Sequence, residues 1–170
     1  MMRRILCGLV ILAGTTPLSL LAQKADLSGT WKLNVAKSFM GSDHPFADYQ
    51  LMKKIEQKGD TISVTDTSVH ASVVNIPLPD STTTMEVVAD GKEHRVQLPA
   101  PFPGMPAPTA EVTADWQSGT LQLLQVSSGL ANYSKQRLFL SEDRKQLIIL
   151  VEGHASYGDS EQRLVFDKQS

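Results

Sequence analysis

The chain has 170 residues, with 16 Lys and Arg against 18 Asp and Glu, a formal charge of −2, and a single cysteine. The scattered, slightly acidic charge argues against nucleic acid or an anionic membrane surface as partner. One cysteine excludes a disulfide framework, and the length suits one domain that buries its core without covalent staples.

At the N-terminus, Arg3 and Arg4 precede an apolar stretch, residues 5–21, that ends in Leu20-Leu21-Ala22. This is the chemistry of a secretory signal. Gly14, Thr15, Thr16 and Pro17 interrupt the stretch, which leaves it short of the roughly 20 apolar residues of a membrane span. Cleavage after Ala22 is expected, giving a signal peptide over residues 1–22 and an exported barrel domain over residues 23–170, periplasmic or secreted. The alternative is an uncleaved anchor, whose exported form would still begin at Met1. Cys7 lies inside the segment, behind Arg4-Ile5-Leu6 and without the small residue of a lipoprotein cleavage site. Removing 22 of the 170 residues leaves 148. It takes two of the 16 basic residues and none of the 18 acidic ones, so the charge moves from −2 to −4.

From residue 27 onward, apolar residues alternate with polar ones in short runs separated by turns, the signature of antiparallel strands. Leu27, Gly29, Trp31 and Leu33 share one face of the first run. A long loop or short helical cap follows over residues 35–48, containing Gly41 and Pro45. Further strands are predicted over residues 49–57, 61–67, 82–88, 93–98, 110–116, 120–127, 133–140, 146–153 and 161–166. Residues 68–76 either extend the third strand or form a separate one, before Pro77 and Pro79. Lys58-Gly59-Asp60, Asp90-Gly91 and Gln117-Ser118-Gly119 are hairpin signals. No 3.6-residue periodicity of helical length competes. Consecutive strands of this number close most readily into an antiparallel up-and-down barrel of about eight to ten strands, which removes the exposed edges of an open sheet.

The segment Leu27-Ser28-Gly29-Thr30-Trp31-Lys32-Leu33-Asn34, with Lys37-Ser38 after it, resembles the first strand of lipocalin-like barrels, in particular small exported bacterial ones. Lys58-Gly59-Asp60, Asp90-Gly91-Lys92, Trp116 to Gly119 and the closing Leu164-Val165-Phe166-Asp167-Lys168-Gln169 extend the likeness over nearly all of the mature chain. The resemblance implies an all-β, lipocalin-like fold in which Trp31 plugs the closed end beneath an arginine. Arg163 is the candidate partner, with Arg137 as the alternative. Two departures stand out: no long C-terminal helix follows the last strand, and the disulfides of secreted animal lipocalins are absent.

Alternation assigns Tyr49, Leu51, Val64, Met85, Val96, Val112 and Leu123 to the barrel interior, a mostly aliphatic set suited to a small hydrophobic or amphipathic ligand. A core filled solid by the same residues is the competing expectation. Arg137 is left open by parity. Turned inward it needs a carboxylate from the protein or from a ligand head group; turned outward it is solvated. The proline-rich segment at residues 99–108 carries Phe102 and Met105, either as a flap or docking strip at the barrel mouth or as a solvated spacer.

No catalytic constellation is visible. His44, His70, His94 and His154 are dispersed, and Asp43-His44 with Asp48 reads as a polar loop rather than a metal site. No strained nucleophile elbow surrounds the serines, and no cysteine remains after residue 22. The sequence calls for no cofactor and no metal, does not point to an enzyme, and names no protein partner. It points to an exported carrier or sensor of a hydrophobic guest, or alternatively to a ligand-free interaction or envelope-associated module that acts through its loops, including residues 99–108.

Overall fold

The computed structural model of the chain describes residues 24–41, 50–69, 72–73, 76–77, 79–98, 100, 104–127, 132–155 and 158–170. The signal segment, the loop at residues 42–49 with Tyr49, His70 and Phe102 lie outside the described residues. In chain order the strands are β1 (Gly29–Leu33), β2 (Gln50–Lys58), β3 (Thr61–Val69), β4 (Ser72–Val73), β5 (Ile76–Pro77), β6 (Ser81–Val88), β7 (Glu93–Gln97), β8 (Thr109–Gln117), β9 (Thr120–Ser127), β10 (Tyr133–Leu140), β11 (Gln146–Ala155) and β12 (Gly158–Lys168).

Ten of these strands form one antiparallel sheet in the order β6-β3-β2-β1-β12-β11-β10-β9-β8-β7. The first and last strands of the chain pair with each other, with Trp31 opposite Lys168 and Leu33 opposite Phe166. That pairing makes an up-and-down meander into a nearly closed barrel. Its two edges are β6 and β7, which share no ladder. The segment left open between the third and fourth sheet strands resolves into a separate hairpin, β4 with β5.

Hairpin chemistry accounts for the tight end of the barrel. Ser118 and Gly119 both adopt positive φ, 50° and 80°, which is the type I′ turn that matches strand twist. Gly59 at φ 63° serves the β2–β3 turn. Asp90-Gly91 behaves differently, for although it turns the chain, the flanking β6 and β7 do not pair. Asp90 accepts a hydrogen bond from the Lys92 backbone N–H at 3.0 Å, and the Gly91 N–H donates to the Ala114 carbonyl at 2.9 Å. Of the two central residues only Gly91 has positive φ, so the type I′ geometry is not met and the turn is tied to β8 instead.

The core follows the alternation. Trp31, Phe166, Leu27, Ile55, Ile62, Leu121, Leu147, Val112 and Val165 are all but completely buried. Trp31 directs its indole N–H to the Leu27 carbonyl at 3.1 Å, which satisfies its one polar group within the core. After β1 the chain makes a short 3-10 turn, Val35–Lys37, capped by Asn34, whose side-chain oxygen accepts the Lys37 N–H. Among the described residues no helix is long and apolar enough to cross a membrane.

Candidate functional site

Strand alternation carries two charged residues indoors. Lys53 has the parity of Ile55, and in the ladder it stands opposite both Trp31 and Asp66. Asp66 has the parity of Val64 and faces Thr83 across the next pair. The Lys53 ammonium donates to both Asp66 oxygens, at 2.6 and 2.8 Å, and its side chain is only 11% exposed. It also lies 5.8 Å from the centre of the Phe166 ring, within reach of a cation–π attraction. The Asp66 side chain is 36% exposed, so the pair keeps one side toward solvent, but a cation this largely removed from water still needs such partners.

Beside this ion pair lies a cavity of about 330 Å³. Ile62, Val64, Met85 and Val87 form one wall; Leu121, Leu123, Leu138 and Ile149 form another. Lys53, Asp66, Thr83, Gln125 and Gln136 supply the polar groups. The cavity is therefore an apolar space with a small number of hydrogen-bonding groups, the usual chemistry of a small-molecule site.

Gln125 also lines a second chamber, of about 240 Å³, nearer the other end of the barrel. Its walls carry Ser127, Ser134, Ser160 and Gln162. Gly153 sits between Ser134 and Ser160 in the ladders. A methyl group placed there would fall 2.7 Å from the Ser160 hydroxyl oxygen, so this wall has space for that hydroxyl and for little else. The Asn132 side-chain oxygen, also in the lining, is buried without a hydrogen-bond partner among the described residues.

Of the residues assigned to the interior by alternation, Val64, Met85 and Leu123 line the larger cavity. Val112 is buried, and Leu51 and Val96 pack against the core without lining it. Arg137 does not belong to the interior. In β10 it is Leu138 that stands opposite Leu121 and Ile149, which turns Arg137 outward to pair with Glu152 at 3.0 Å. Arg163 is likewise not the cation over Trp31. It donates to the Lys37 carbonyl at 3.0 Å on the outside, while Lys168, on the parity of Phe166, places its ammonium 5.4 Å from the Trp31 ring. Met105 is exposed, in the connection between β7 and β8.

The inward Lys53, Asp66, Thr83, Gln125 and Gln136 are absent from the sequence-based site. Their signal was available in strand parity, and the habit of assigning charged residues to solvent concealed it. The remaining titratable pairs lie away from the larger cavity. His94 meets Asp90 at 2.8 Å, and hydrogen bonds from His94 and from the Lys92 backbone hold the Asp90 carboxyl below the usual carboxylate range. His154 meets Asp159 at 2.5 Å at the edge of the second chamber. No group of three or more His, Cys, Asp or Glu suited to a metal occurs among the described residues.

No family model and no curated protein matches the chain. Its fold does match solved structures. Fatty-acid-binding protein 1 of Echinococcus granulosus is similar at a TM-score of 0.56 and 12% identity, covering 85% of this chain and 98% of that one. The zebrafish ileal bile acid-binding protein, complexed with cholic acid, is similar at 0.55 and 16% identity, covering 84% and 98%. Human cRBP IV is similar at 0.52 and 17% identity, covering 85% and 99%. At these identities the likeness is one of fold: a ten-stranded, nearly closed antiparallel barrel.

Proposed function

We propose that this protein is an exported barrel that takes up a small hydrophobic or amphipathic molecule in its interior, as a carrier or sensor, and performs no chemistry on it. The observation that carries the reading is the roughly 330 Å³ cavity, walled by aliphatic side chains and supplied with a few fixed polar groups. The structural neighbours support it, since those named for fatty acids and bile acid share the barrel over nearly their whole length. Arg3, Arg4 and the apolar residues 5–21 support export, with residues 1–22 removed. The connection between β7 and β8, residues 98–108, leaves the barrel at the end away from Trp31 and is proposed as part of its mouth.

Native mass spectrometry of protein purified from its own host tests the uptake. A co-purifying lipid-like mass is expected. Repeated absence of any guest, together with no uptake of an environment-sensitive fluorophore, would return the protein to the role of a loop-based interaction module. N-terminal sequencing of the exported form should begin at Gln23; a start at Met1 would show an uncleaved anchor instead.

A further inference from the structure

The charges of the interior cancel one another, and that limits what the cavity accepts. Among the described residues, the lining of the larger cavity carries one cation, Lys53, and one anion, Asp66, and these are bonded to each other through both carboxylate oxygens. The other polar groups there are a hydroxyl, Thr83, and two amides, Gln125 and Gln136. The second chamber continues in the same chemistry, with serine hydroxyls and the amides of Gln162 and Asn132. Its one titratable base, His154, already faces Asp159. His94 and Lys168, whose strand parity also turns them inward, are engaged with Asp90 and the Trp31 ring respectively.

An ionised ligand head group entering this space loses its hydration and finds, among the described residues, no uncommitted positive charge to replace it. To reach Lys53 it must approach the Asp66 carboxylate as well, which repels it. A hydroxyl or carbonyl head group meets the opposite situation. Amides and hydroxyls each donate and accept, so an uncharged oxygen finds partners without displacing the ion pair. The buried Asn132 oxygen is an acceptor of the kind an alcohol O–H satisfies.

Resting on the proposed uptake of an amphipathic guest, we infer that the guest is an uncharged amphiphile: a hydrocarbon body against the aliphatic walls and a hydroxyl- or carbonyl-bearing head toward the amides and serines. Long-chain alcohols and monoglycerides have this chemistry; fatty-acid anions do not. The Lys53–Asp66 pair acts as a charge filter that holds its own cation out of reach.

The test displaces Nile red, an uncharged fluorophore, from the delipidated mature protein with three chain-matched probes: tetradecan-1-ol, monomyristoylglycerol and tetradecanoate. At about pH 8 the last is fully ionised. The two uncharged probes are expected to displace the dye at concentrations about tenfold or more below that of tetradecanoate. Tetradecanoate binding as tightly as the alcohol would overturn the inference while leaving uptake intact; failure of the protein to bind Nile red or any probe would remove the uptake reading itself. Asp66→Asn should release Lys53 and strengthen tetradecanoate binding by about tenfold, and no gain in a folded variant would show that the pair is not the filter. The comparison on the wild-type protein stands whether or not that variant folds.

Discussion

At the lower end of the barrel the strands are joined by residues 59–60, 89–92, 118–119 and 141–145, and Trp31, Leu147 and Phe166 fill the space between them. At the upper end, where β1, β3 and β7 finish, the inward wall of β9 to β12 carries serines, glutamines and glycines. Both ends come from the same two-residue alternation along the same strands. The difference lies in the size and polarity of what each inward position holds: large aliphatic and aromatic groups pack solid, whereas small or polar groups leave space and hydrogen-bonding capacity unused. The larger cavity reaches from one region into the other, since Ile62, Val87 and Leu121 line it together with Gln125 and Gln136, and substitutions at the solid packing and in the second chamber should act differently.

The largest effect is expected at the packed end. Trp31→Ala removes a fully buried side chain and its hydrogen bond to Leu27, and should lower unfolding free energy by about 3–5 kcal/mol in urea titrations. At the open end, Gly153→Leu brings a Cβ within 2.7 Å of the Ser160 hydroxyl, which must turn aside, so a smaller loss of stability, about 1–3 kcal/mol, is expected. The substitution should weaken guest uptake about tenfold, or about 1.4 kcal/mol, by dye displacement. Gln125→Leu is milder, since it deletes one amide shared by both chambers. A loss of about 1 kcal/mol in affinity for tetradecan-1-ol is expected, with none in the midpoint of unfolding.

The smallest effect concerns acid. Hydrogen bonds from Gln146 and Asn34, at 2.8 and 2.7 Å, hold the Asp167 carboxyl below the usual carboxylate range, and they tie the start of β11 to the exit of β1. A carboxyl with a lowered folded-state pKa stabilises the fold above its unfolded value, near pH 4, and that contribution is lost as pH falls through the folded value. Because the side chain is 44% exposed, its share is below about 1 kcal/mol. Asp167→Asn should flatten the decline of urea stability between about pH 5 and pH 2 without altering guest uptake. An unchanged slope would mean that other carboxylates govern acid unfolding.

Much of the packed end was legible in the sequence because the residues that build it are apolar and regularly spaced. Leu27, Trp31 and Leu33 share a buried face as their alternation implies, and Val112 is buried as well. The polar inward positions were far less legible, for there hydrophobicity ceases to mark the face. Lys53 and Asp66 lie 13 residues apart on neighbouring strands, and only the register between those strands shows that they meet. Arg137 was undecidable within β10, whose two faces are both mixed; the ladders to β9 and β11 decide it. For Arg163 the signal lay in parity: Leu164 and Phe166 face inward, so the odd-numbered Arg163, on the other face of the same strand, must face out. The Asp90-Gly91 turn shows the reverse failure, a strong local hairpin preference overruled by the bond that draws the turn toward β8.

The unpaired lips β6 and β7 are the one line along which the barrel wall carries no ladder. Everywhere else around the circumference, widening means breaking backbone ladder bonds; along this seam it means only sliding side chains past one another. Parting the wall at this one slit would leave the nine strand pairings intact, in the manner of a split ring and not of a closed hoop.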